Sequence, residues 1–290
     1  GPAAPVAVPG EGAQEGAAAH ATSAWDCVTK HNFEESMESI DVASDGSCGF
    51  WCMLAFFGSC NHAVVRTREE LRQIKQKQDK AAEEMMQAAQ RTGRLNRSRK
   101  SPPESHKPVG FSDYDLLGQL VWHMDMDNAS WEQVRGADSR EIAEARRVVP
   151  ATSVHPQVQG KDYMTTLHLS YFAIKLGMPV FGALQTSEIG ACKATYMYAV
   201  WRASGEPTFF ETESEMEAEM HKEPAPVAPL LLPSPLFLLS DNHWTLHQPK
   251  GTLAQQPDSI QRARRARFQD LFTRSTQDDW GALAFERWFP

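Results

Sequence analysis

The sequence has no apolar run approaching the ~20 residues of a membrane-spanning helix, no Cys-x-x-Cys pair and no excess of positive charge. The first lack predicts a chain without a membrane span. The second, in a chain whose five cysteines are Cys27, Cys48, Cys52, Cys60 and Cys192, fits neither a disulfide framework nor a closed zinc site, and predicts a reducing, cytoplasmic setting. The third is a formal net charge of −8, which repels phosphate, so no nucleic-acid partner is expected.

What is present is enough for a real core: 290 residues, 41% apolar, with eight Trp and fourteen Phe. Residues 1–24 are mostly Ala, Gly, Pro and Val without periodicity and read as a disordered leader. A basic start is missing and Pro5, Pro9 and Gly10 interrupt the apolar positions, so the segment does not read as a secretory signal. A folded domain is expected over 25–253, with charged insertions at about 91–108 and 211–228, followed by a helical extension over 254–290.

The pattern of elements is mixed. Thr67 to Gln90 reads as a solvated helix, and Phe111 to Val121 as a core helix with Phe111, Tyr114, Leu117 and Leu120 at helical spacing. Residues 162–176 repeat that spacing, Gly177 stops the helix, and residues 178–184 read as a buried strand. Alternation predicts a strand over Thr195 to Trp201. The acidic stretch Glu211 to Glu223 reads as a mobile insertion. Strands over Leu230 to Leu239 and His243 to His247, joined by Ser240-Asp241-Asn242, read as a hairpin, and Asp258 or Ser259 caps a last helix carrying Ile260, Ala263, Phe268, Leu271 and Phe272 on one side.

Chemistry concentrates at Asp45-Gly46-Ser47-Cys48-Gly49-Phe50-Trp51, where a turn meets an apolar run. A thiol at that junction sits on the first turn of a helix, where unpaired backbone N–H groups and the positive end of the helix dipole favour thiolate. Cys52, one turn further on, is expected to face the core. A nucleophile of this kind needs a base, and His243, just after a tight turn at the start of the strand Asn242-His243-Trp244-Thr245-Leu246, is the best placed of the ten histidines. His247 shares its face but is expected to be buried, and His62, His123, His155 and His168 are expected to serve structure.

These segments resemble the ovarian-tumour-domain (OTU) cysteine proteases. The Asp45 to Trp51 string is similar to their Asp-Gly-Asn-Cys-Leu-Phe segment, and Asn242-His243-Trp244 to their terminal His-aromatic strand. Arg68 to Ile74 is similar to the family's helix with a Leu-Arg pair, and Gly160 to Tyr163 through Leu176-Gly177-Met178-Pro179-Val180 to its middle helix, turn and strand. The likeness covers about residues 30 to 250 and extends to OTU-related papain-like proteases of some RNA viruses. Ser47 and Gly49 depart from the commoner residues, as does Thr245, where many members carry Asp or Asn to orient the histidine.

The resemblance implies an α+β, papain-like OTU fold, a small and mostly antiparallel central sheet flanked by helices, with the nucleophile at a helix N-terminus. It implies a catalytic set of Cys48, His243 and Asp45, the last shaping the oxyanion loop or supporting the site electrostatically. Asp41, then Asn242 or Asp241, are the alternatives for orienting the histidine. No cofactor or metal is implied. The implied activity is hydrolysis after the C-terminal Gly-Gly of ubiquitin or a ubiquitin-like modifier, by a monomer, with Trp51, Trp201 and Trp244 as possible channel walls. A polyprotein-processing protease of viral type and a catalytically inactive ubiquitin-binding module are the alternatives.

Overall fold

The computed structural model describes residues 37–67, scattered positions within 69–91, and residues 110–147, 163–186, 195–222, 234–240, 243–249 and 258–272. The expected leader, the insertion at about 91–108 apart from residue 91 itself, Cys27, Cys192, His155, Asp241 and Asn242 lie outside the described residues.

Strands β1 (Met37–Asp41), β2 (Val64–Arg66), β3 (Val180–Thr186), β4 (Thr195–Trp201), β5 (Thr208–Phe210), β6 (Leu236–Ser240) and β7 (His243–Pro249) form one sheet, in the order β2-β1-β7-β6-β3-β4-β5. Every neighbouring pair is antiparallel except β3 with β6. The helices are α1 (Cys48–Phe56), α2 (Phe111–Met126), α3 (Asn128–Trp131), α4 (Ser139–Arg146), α5 (Thr166–Leu176), α6 (Glu213–Lys222) and α7 (Asp258–Phe272). The architecture is thus α+β, a mixed sheet flanked by helices.

Helix α1 is buried along its whole length. Its sequence is apolar on every side, which is the composition of a helix enclosed by other elements rather than laid on a surface. Phe50, Trp51, Met53, Leu54 and Phe56 join Leu246 and Trp244 of β7, Leu169 and Phe172 of α5, and Leu117 and Leu120 of α2 in the main core. Each such side chain contributes about 2 kcal/mol on removal from water, so the segment bearing the thiol is among the most firmly held in the molecule. Helix α5 stops at Gly177, whose φ of 65° is the left-handed conformation that glycine accommodates, and Met178-Pro179 leads into β3 as the sequence predicts.

Described positions between 69 and 91 are helical and exposed, in keeping with the expected solvated helix. The acidic stretch after residue 211 departs from expectation, because Glu213–Lys222 is a helix docked on the sheet. Met216 is fully buried with Phe181, Val200 and Leu236. The Glu215 carboxylate accepts from the backbone N–H of Glu211 and Thr212, while Thr212 Oγ1 accepts from Glu215 N. One anchoring methionine and a capped first turn outweigh the cost of gathering acidic side chains, which stay on the wet side.

Helix α7 docks as expected, with Phe268 and Phe272 against Phe57. Arg264 is also buried on that helix. Burial lowers its pKa to about 10, against the charge of Glu38, which acts in the opposite sense.

Candidate active site

The turn before α1 is built around Asp45 and Gly46. Gly46 has φ of 93°, a conformation that L side chains rarely adopt. It lets the chain double back so that Asp45 Oδ1 accepts from Ser47 N at 3.0 Å. The indole N–H of Trp51 donates to both oxygens of the same carboxylate, at 3.0 and 3.1 Å. Burial raises the Asp45 pKa, outweighing the Ser47 and Trp51 hydrogen bonds and the nearby His62 charge, which lower it. Cys48 follows as the first residue of α1, with Trp51 N bonded to Ser47 O at 3.0 Å.

Strand β7 is locked against this helix by two thiols one turn apart. The Trp244 N–H donates to Cys48 Sγ, and Cys52 Sγ donates to Trp244 O, both at 3.4 Å. Those backbone groups are open to α1 because β1 ends at Asp41, before the residue that would continue the Ile40↔Leu246 register opposite Trp244. Cys52 is fully buried as expected, and burial raises its thiol pKa well above the ordinary value.

Docking at Trp244 sets its neighbour, His243, beside the thiol. The imidazole is hydrogen-bonded to Cys48 and to Asp41. Its Nε2 lies 3.0 Å from Asp41 Oδ1, and its Nδ1 lies 3.0 Å from Ser44 Oγ. Both ring nitrogens thus have an oxygen partner, Nε2 in Asp41 and Nδ1 in Ser44. Register explains the carboxylate: Ser39 faces His247 across the β1–β7 pair, so Asp41 shares the sheet face that carries Thr245 and His243. Asp41 Oδ2 also lies 3.6 Å from Arg66 Nε. Burial alone would depress the His243 pKa, but the hydrogen bonds to Asp41 and Cys48 and their negative charge raise it to about 10.

Of the residues singled out from the sequence, Cys48, His243 and Asp41 are therefore brought together, and Asp45 holds the turn immediately before the thiol. Ser44 was not singled out; its only sequence signal is its position one residue before the Asp45 turn. Thr245 does not take the place of an orienting carboxamide, because its Oγ1 lies 3.3 Å from His247 Nε2. His247 is buried on the same face, as expected.

The thiol itself is enclosed, at 2% exposure, whereas the His243 side chain is 19% exposed. Met164 packs over Gly49: a Cβ there would stand 2.9 Å from Met164 Sδ and closer still to Met164 Cβ. Trp244 Nε1 donates to Met164 O at 3.2 Å and fixes the cover from below. Trp51, Trp201 and Trp244 are buried in the core, which corrects the expectation that they wall a channel. Their size made them candidates, but their rings fill the space between sheet and helices.

Three other described histidines, His62, His123 and His168, have structural surroundings. His168 bonds to Ala145 O at 2.8 Å and His123 packs on Phe272, and burial lowers both pKa values to about 4. His62 has its Nδ1 3.0 Å from Asp113 Oδ2, with Cys60 Sγ 3.4 Å from the same nitrogen. Among the described residues no group of three His, Cys, Asp or Glu is arranged to hold a metal ion, and no helix is long and apolar enough to cross a membrane.

No family model, no curated protein and no solved structure matches the chain.

Proposed function

We propose that this chain is a thiol-dependent deubiquitinase of OTU type, hydrolysing the bond after the C-terminal Gly-Gly of ubiquitin or a ubiquitin-like modifier. The observation that carries the reading is the contact of His243 with Cys48 on one side and Asp41 on the other. A nucleophile at a helix N-terminus, a base at a strand start and a carboxylate that fixes the ring are the three parts that thiol acyl transfer requires. The papain-like OTU fold belongs to the same proposal.

In this mechanism the imidazolium of His243 stabilises the Cys48 thiolate, which attacks the carbonyl carbon of the scissile bond. Backbone N–H groups of the turn from Asp45 to Cys48 receive the oxyanion, each well-aimed donor lowering the barrier by about 3 kcal/mol. His243 then gives its proton to the departing amine, and the thioester that remains is hydrolysed by water activated by the neutral imidazole. Asp41 holds the ring and favours its charged form throughout. The substrate class comes from the sequence resemblance, in the Asp45 to Trp51 string, the His243 strand and the segment from Gly160 to Val180.

Incubation with ubiquitin bearing a C-terminal electrophile tests this reading. A covalent adduct is expected with the unmodified chain and none with Cys48→Ala. Binding without an adduct would replace the enzyme by an inactive ubiquitin-binding module, and cleavage of a polyprotein junction with no reaction towards ubiquitin would replace it by a processing protease.

A further inference from the structure

Beside the candidate active site lies a second set of polar groups with no part in the proton transfers above. Asp113, in the first turn of α2, is fully buried. Its Oδ2 meets His62 Nδ1 at 3.0 Å, and its Oδ1 accepts from both the backbone N and the side-chain Nδ2 of Asn61, at 3.2 and 2.6 Å. A carboxylate accepts only, so His62 Nδ1 donates to it. The fixed imidazole then stands perpendicular to the Trp51 ring, with centroids 4.7 Å apart and an interplanar angle of 89°. Tyr114, the residue after Asp113, also packs edge-on with Trp51, with centroids 5.5 Å apart.

Trp51 thus packs against His62, which is bonded to Asp113, and against Tyr114, which follows it, and its one polar atom is spent on the carboxylate of Asp45. That carboxylate in turn holds the Ser47 N–H. A chain of contacts runs from the start of α2 to the turn that precedes the thiol.

We propose that Asp113 and His62 are positioning residues which, through Trp51 and Asp45, hold the turn from Asp45 to Cys48 in the conformation that aims its backbone N–H groups at a developing oxyanion. This rests on the acyl-transfer reading of Cys48. A misplacement of a fraction of an ångström at such donors is costly, because they act by geometry set before the reaction. The Cys60 thiol beside His62 is not a second nucleophile: burial foremost, and then the Asp113 charge, raise its pKa, which keeps it protonated at neutral pH.

Two reagents separate this role from general support of the fold. Iodoacetamide alkylates a thiolate by displacement and needs no oxyanion donors, whereas a peptide aldehyde ending in Gly-glycinal adds to the thiol to form a tetrahedral hemithioacetal whose oxygen uses them. Asp113→Asn, His62→Gln and Trp51→Phe are expected to weaken aldehyde binding about tenfold or more while leaving the Cys48 alkylation rate within about twofold. Trp51→Phe is the most direct of the three, since it removes the N–H that grips Asp45 together with the pyrrole ring that carries it, and the alkylation rate reports whether the smaller ring disturbs the fold around Cys48. Cys60→Ala is expected to change neither.

Aldehyde binding unchanged in Trp51→Phe, or falling in step with alkylation in all three variants, would overturn the positioning role. Failure of the unmodified chain to bind any aldehyde would overturn the acyl-transfer reading along with it, so the two failures are told apart by the parent protein alone.

Discussion

His243 Nε2 and Asp41 Oδ1 lie 3.0 Å apart although 202 residues separate them in the chain. The contact follows from the antiparallel pairing of β1 with β7, the two strands that flank the thiol-bearing turn. It makes Asp41 the carboxylate that sets the ring, and Asp45 the one that sets the turn.

Burial lowers the His243 pKa while Asp41 and Cys48 together raise it to about 10, so replacing Asp41 by Asn removes one of the two raising groups and leaves burial opposed by Cys48 alone. A group whose folded pKa lies above its ordinary value contributes stability that is complete below that value, near 6.5, and fades as the pH climbs through about 10. Asp41→Asn is therefore expected to lose stability against the parent at about pH 6 and to lose far less near pH 10, as read by urea unfolding at both pH values. Turnover at neutral pH is expected to fall about 100-fold or more. An equal loss of stability at both pH values would contradict the assignment.

The two histidines of β7 share a face but not a role. His243→Ala is expected to abolish turnover, while His247→Ala, which removes a buried ring bonded to Thr245, is expected to retain most of it with a lowered melting temperature. Steady-state rates on a ubiquitin fusion check this, and equal losses would mean that the base is misassigned.

Gly49 is required by the closeness of Met164. Gly49→Ala is expected to cost about 1–3 kcal/mol in denaturant unfolding, because backbone and Met164 must move apart. Met164→Ala is expected to speed alkylation of Cys48, since it removes the side chain packed over the residue next to the thiol. An unchanged alkylation rate would show that the cover lies elsewhere.

Met216→Ala tests the docking of α6. Loss of a fully buried methionine is expected to destabilise by about 2–5 kcal/mol, with the alkylation rate of Cys48 unaffected, because the helix lies over Phe181, Val200 and Leu236 rather than over the thiol. Thermal unfolding and thiol reactivity on the same variant check both halves.

Local signals carried much of the fold. The strand at Thr195 to Trp201 was legible from alternation, the end of α5 from Gly177, and the junction at Cys48 from an Asp-Gly turn before an apolar run. What the sequence left open depends on pairing at a distance. Asp41 was one carboxylate among several near the nucleophile until the β1–β7 register placed it under His243. Nothing local marks His62 as the partner of Asp113, 51 residues away. Helix α6 was different: Thr212 and Glu215 stand at capping-box spacing, a local signal that the density of acidic residues concealed.

The most direct test of the reactive pair is the rate at which each thiol is alkylated by iodoacetamide at neutral pH, mapped by mass spectrometry in the parent and in His243→Ala. Cys48 is expected to react well ahead of Cys52 and Cys60, and to lose that lead when the imidazole is gone. Cys48 reacting no faster than Cys52, or reacting equally fast without His243, would contradict a thiolate held by that histidine.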